Sequence, residues 1–129
     1  MSDMSNAAFA RNNENFAVDI LDDYPSQKNW VVTVRFYSFI HYAEEILTSH
    51  DYSSNRHAER KENLRACNHI PNEAYRIYRF LEDLSRDARY ECISMTDKDV
   101  EKAEEKLEKG KEVLGFPDGD SDQSAKYST

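Results

Sequence analysis

The chain has 129 residues, a formal net charge of -8, and only three glycines and three prolines. That length suits one ordinary domain rather than two, and so few turn-formers exclude an all-β fold of many hairpins. The acidic balance excludes a protein that coats duplex DNA or RNA, because such binding needs a basic surface to release counterions.

No apolar run approaches the length needed to span a bilayer, and the first residues lack the basic-then-apolar order of a signal peptide. A cytoplasmic protein with no membrane partner is therefore expected. Cys67 and Cys92 sit in helical patterns without CxxC spacing and read as small buried hydrophobes in a reducing compartment.

A first helix is predicted from about Asn6 to Asp22, with Phe9, Phe16, Ile20 and Leu21 inward, ending before Pro25. The second, from about Lys28 to Ser49, is rich in β-branched and aromatic residues, and propensity alone would allow a strand through Phe39. Its length, its lack of Gly or Pro, and the stripe Val32, Phe36, Phe39, Ala43, Ile46 and Leu47 favour a helix. A second stripe, Trp30, Val34, Tyr37 and His41, makes this helix apolar nearly all round. It should be central to a bundle, or serve a core and a subunit interface at once.

Ser53 or Ser54 can cap a third, short helix through about Asn68. A fourth begins at Pro71, where a missing N–H costs nothing, and carries Ile77, Leu81, Leu84, Ala88 and Cys92 at steps of three and four. Its other side then holds Arg76, Arg79, Arg86 and Arg89. Thr96 caps a fifth helix with Asp97 and Asp99 in its first turn and Gly115 beyond its end. Val100, Ala103, Leu107 and Leu114 form its apolar stripe. The expected fold is all-α: a single up-and-down bundle of about five helices over residues 1–115, followed by a disordered acidic and polar tail, residues 116–129.

Charge is unevenly spread. Seven of the nine arginines lie between Tyr52 and Cys92, where eight Lys or Arg face seven Asp or Glu for a balance of +1; the rest of the chain holds nine against eighteen, or -9. Arg offers a fixed fork for phosphates and carboxylates, so an anionic ligand should approach the middle of the chain.

The third helix has an anomaly. His57, Arg60, Leu64 and Cys67 fall on one stripe, so a histidine and an arginine share the side of the only apolar anchors. If that stripe faces the core, Arg60 must find a carboxylate, a carbonyl or a bound anion. One reading pairs Arg60 with an acid of a neighbouring helix; the other makes His57 and Arg60 the rim of an anion site.

The order FYSFIHYAEEIL, HAERKENL and YRFLEDLSRDARYE resembles a HEPN-type subfamily of small prokaryotic helical proteins with an FYxxxH helix, an HxxR turn and an LxxLSxxARY helix. The matching residues are Phe36, Tyr37 and His41; His57 and Arg60; then Leu81, Leu84, Ser85, Ala88, Arg89 and Tyr90, within about Trp30 to Glu91. The resemblance implies a helical bundle that commonly forms homodimers, and many members are RNA-cleaving toxins or parts of phage-defence systems. The active ribonucleases carry Arg, a polar residue and a later His late in the bundle. This chain departs from that pattern: no histidine follows His69, and Arg35 to His41, which has the right spacing, puts Phe36 at the polar position.

RNA cleavage without a metal needs a base, an acid and a cation for the developing phosphorane charge. His41 and His57 have the intrinsic pKa for the first two roles, and Arg60 or Arg89 for the third. These four are the candidate catalytic residues. Packing inside the bundle is the competing account of His41 and of Tyr37, Tyr78 and Tyr90, and an ion-pair lattice with Glu82, Asp83 and Asp87 that of the arginine face.

Other chemistries fail on inspection. Asp118, Asp120 and Asp122 imitate a calcium loop, but Gln123 stands where Gly is needed and Thr129 where Glu is needed. No zinc spacing and no glycine-rich phosphate loop occur, so neither a metal nor another cofactor is expected. Two function classes follow: a HEPN-like module acting on or binding RNA or a nucleotide, with an antitoxin or defence protein as partner, or a non-catalytic protein-interaction or structural bundle. A homodimer with Trp30, Val34 and Tyr37 at or near its interface is expected for either.

Overall fold

The computed structural model describes residues 5–53, 57–91 and 93–116, with His57 described by its backbone only. Five helices occur in this order: α1 Asn6–Asp23, α2 Lys28–Ser49, α3 His57–Ala66, α4 Asn72–Arg89 and α5 Asp97–Leu114, and no strand occurs among the described residues. The expectations placed on Ser54, Cys92 and residues 117–129 lie outside the described residues.

The helix ends follow local chemistry. Ser5 Oγ accepts from the Ala8 amide at 3.1 Å at the start of α1. Thr96 and Asp99 cap α5 reciprocally, each side chain bonding the other's backbone N–H. Gly115 closes α5 at φ 89°, a left-handed conformation that a residue without Cβ adopts freely. Pro71 stands at the N-cap of α4, one residue earlier than the first turn.

α2 is the axis of the bundle and packs on all four other helices. Val32, Phe36, Phe39, Ala43 and Leu47 are fully buried, and each large side chain so removed from water contributes roughly 1.5–3 kcal/mol. α5 lies parallel to α2, with Lys28 by Asp97 at one end and the rings of Tyr42 and Phe116 at 4.9 Å at the other. Phe116 therefore belongs to the bundle and not to the tail. Gly110 touches the ring of Phe39, and that contact brings α5 close to α2.

Two inward expectations for α1 are corrected. The buried residues are Ala10, Ala17 and Ile20, while Phe9 and Phe16 are 45% and 54% exposed. Each phenylalanine precedes one of the alanines, about 100° around the helix. The small residues let α1 approach α2 closely enough for Ser38 Oγ to donate to Ala10 O at 2.7 Å, and the rings are left on the flank. Val34, expected near an interface, is buried.

At the other end of α2, Asn29 ties down the α4–α5 connection. Its amide donates to Ala88 O at 2.8 Å and Ile93 O at 2.9 Å, and its Oδ1 accepts from the Met95 amide at 3.0 Å. α3 is shorter than expected, ending at Ala66, and crosses α2 and α4 with Leu64 and Cys67 buried.

Candidate functional site

Tyr37, His41 and Glu44 recur at steps of four and three and so share one side of α2. Three of the expected site residues meet this row. Nδ1 of His41 hydrogen-bonds Asn6 Oδ1 at 3.0 Å, which as acceptor requires the proton on Nδ1, and the Phe9 ring stacks on the imidazole at 5.3 Å. Burial, and then the positive charge of Arg60, lower the His41 pKa below its ordinary value; Glu44 opposes them. The imidazole is therefore held neutral near neutral pH.

Arg60 reaches the row from α3. Its Nε donates to Glu44 Oε2 at 2.7 Å, with the two side chains only 15% and 11% exposed, and Nη1 lies 3.5 Å from the Tyr78 hydroxyl. Burial works against the guanidinium charge, but the bonds to Tyr78 and Glu44 outweigh it and raise the pKa. The stripe of α3 faces the core, and an acid of a neighbouring helix answers it. Burial likewise raises the Tyr78 hydroxyl.

Arg89 meets the row one turn before His41. Its Nη1 donates to the hydroxyls of Tyr37 and Tyr90, each at 3.0 Å, and the guanidinium lies 5.6 Å and 4.5 Å from the two ring centres. Thus Arg60 is close enough to His41 to lower its pKa, whereas Arg89 is held by tyrosines about 10 Å along α2 from Glu44 at the 1.5 Å rise per residue. The side chain of His57 lies outside the described residues, so its expected role carries no geometry.

A related arrangement occurs farther along α4. The Tyr75 ring is approached by Arg65 of α3, at 5.3 Å, and by Arg79, at 6.0 Å, and Arg79 Nη1 donates to its hydroxyl at 3.4 Å. That bond lowers the Tyr75 pKa. Lys61 pairs with Glu82 at 3.2 Å and Arg86 with Asp83 at 3.4 Å, as an ion-pair lattice would have it. Arg65, Arg79 and Arg89 differ: among the described residues none has a carboxylate within ion-pair distance. Their common partner is tyrosine.

Sequence reasoning missed a polar cluster that joins α1, α2 and α5. Lys111 Nζ donates to Glu14 Oε2 at 2.8 Å, and the Tyr42 hydroxyl donates to Glu14 Oε1 at 2.5 Å. Burial and that bond push the Tyr42 pKa far up. Arg35 of α2 is also buried, donates to Val100 O at 3.1 Å, and has its pKa lowered by desolvation. The helical stripe of α5 gave no signal for this, because Lys111 lies among many exposed lysines and glutamates of the same helix. The rings of His50 and His69 stack at 3.7 Å between the end of α2 and the α3–α4 connection.

Among the described residues no group of three His, Cys, Asp or Glu gathers to hold a metal ion, and no helix is long and apolar enough to cross a membrane. No protein-family model, curated protein or solved structure matches the chain.

Proposed function

We propose that the protein is a HEPN-like helical module that binds single-stranded RNA or a nucleotide without cleaving it, through the arginines and tyrosines of α3 and α4. The supporting observation is that the guanidiniums of Arg65, Arg79 and Arg89 lie over tyrosine rings and, among the described residues, none of them forms a direct ion pair with a carboxylate. Stacked rings beside guanidinium forks are what unpaired bases and their phosphates use, and this chemistry tolerates an acidic protein because it is local. From Tyr75 to Arg89 the strip runs about 21 Å along α4 at 1.5 Å per residue. The resemblance to a family in which RNA is a common target points the same way, as does the excess of arginine in this part of the chain.

Cleavage has less support. His41 is neutral and committed to Asn6, and Arg60 is neutralised by Glu44, so an acid and a free cation are both wanting at that point of the row. The test is fluorescence anisotropy with a labelled single-stranded RNA at two salt concentrations, on the native protein and on Arg79→Ala/Arg89→Ala. Micromolar binding that weakens at least tenfold in the double variant and falls with salt is expected, with the RNA intact afterwards. Binding unaffected by the substitutions would overturn the proposal, and RNA cleavage lost in His41→Ala would replace it with acid–base catalysis.

A further inference from the structure

Phe16 and Ile20 of α1, Tyr24 and Gln27 of the connecting turn and Trp30 of α2 line an apolar groove of about 480 Å³. Phe16, Tyr24 and Trp30 are 54%, 65% and 55% exposed. Single exposed rings are ordinary, but three around one groove are not. At about 200 Å² per ring they present roughly 350 Å² of apolar surface.

The edge of the groove has one sign of charge. Asp19 and Asp23 follow Phe16 by three and seven residues, so they form a row beside it on α1. Neither carboxylate has an ion-pair partner among the described residues. They repel each other, and they stand at the C-terminal end of α1, where the helix dipole is itself negative and the last turn holds no basic residue. Lys28, the nearest cation in sequence, is turned to Asp97 at 3.6 Å and to Pro25 O at 3.0 Å. An apolar floor with an uncompensated acidic edge fits an occupant that is apolar on one side and cationic on the other.

We propose that this groove docks a basic amphipathic helix of a partner protein, whose apolar residues at i, i+3 or i+4 and i+7 enter between Phe16 and Trp30 while its Lys or Arg residues meet Asp19 and Asp23. A second copy of this chain fits less well. The exposed rings fall well short of the roughly 800 Å² per partner of a standard interface, and pairing two copies here brings the same acidic rows together in a chain of net charge -8.

Trp30 is the only tryptophan in the chain, so its emission reports on the groove directly. The full-length protein is titrated with a synthetic 16-residue Leu/Lys amphipathic helix, with the same helix carrying Glu for Lys, and with a scrambled Leu/Lys peptide that has no apolar stripe. Expected are a saturable blue shift with the Leu/Lys helix, at least tenfold weaker binding of the Leu/Glu helix, and no shift with the scrambled peptide. Asp19→Asn/Asp23→Asn should weaken the Leu/Lys helix about tenfold and flatten its salt dependence. Phe16→Ser should abolish the shift with the circular dichroism spectrum and thermal midpoint unchanged. Equal binding of the Lys and Glu helices, no shift with either, or no effect of the aspartate substitutions would overturn the proposal. So would sedimentation as a dimer at tens of micromolar that Phe16→Ser dissociates, since the occupant would then be a second copy.

Discussion

Arg60 and Glu44 form a hydrogen-bonded ion pair at 2.7 Å that joins α3 to the central helix, with both side chains largely withdrawn from water. The pair explains why an arginine shares a stripe with Leu64 and Cys67: the stripe faces the core, and Glu44 supplies the countercharge there.

Removing one member should therefore cost far more than removing both. Glu44→Leu leaves a guanidinium in a desolvated position and should destabilise the fold by about 3 kcal/mol, whereas Glu44→Leu/Arg60→Met should lie well below the sum of the single changes. Urea denaturation of the four proteins measures the coupling. Strict additivity would mean that the pair contributes nothing.

Gly110 is predicted to resist substitution although it sits inside a helix. Alanine would gain roughly 1 kcal/mol in helix propensity, but its Cβ would come within 2.4 Å of the ring of Phe39, which is fully buried. Overpacking of this kind costs typically 1–3 kcal/mol. Gly110→Ala should accordingly lower the thermal midpoint, and Gly110→Ala/Phe39→Leu should recover part of the loss.

The exposure of Phe16 and the burial of Ala17 give opposite expectations for neighbouring positions. Phe16→Ser should change stability by no more than about 0.5 kcal/mol. Ala17→Leu should cost about 1–3 kcal/mol, because it separates α1 from α2. Chemical denaturation of both variants checks the assigned orientation of α1, and the reverse ranking would contradict it.

His41 makes stability depend on pH in a defined direction. Its folded pKa is lowered by burial and by Arg60, so the unfolded chain takes up the proton first as pH falls. The contribution is complete above the ordinary imidazole value near 6.5 and is lost as pH falls through that value toward the lower folded one. Native protein should lose more stability than His41→Gln between pH 8 and pH 5. Parallel profiles would mean that His41 titrates alike in both states.

Hydrophobic periodicity placed the five helices to within a residue or two at most ends, because caps such as Thr96 with Asp99, and stops such as Pro25 and Gly115, act through neighbours in sequence. The nearly all-round apolar character of α2 left two readings, a central helix or one shared between a core and an interface, and its packing on all four other helices makes it central. Which apolar residues of α1 face inward was decided only by packing. Periodicity marks Phe9 and Phe16 as hydrophobic but cannot weigh them against Ala10 and Ala17, which win because small side chains permit the closest approach to α2. The same limit applied to charge. That Arg60 needs a partner follows from its own stripe, but Glu44, Glu14 with Lys111, and the tyrosines around Arg65, Arg79 and Arg89 come together across loops and helix crossings. Sequence alone determined the elements and the surplus of arginine in the middle of the chain. The tertiary contacts decided which charges cancel and which remain available, because electrostatic and stacking interactions depend on separation in space rather than on distance along the chain.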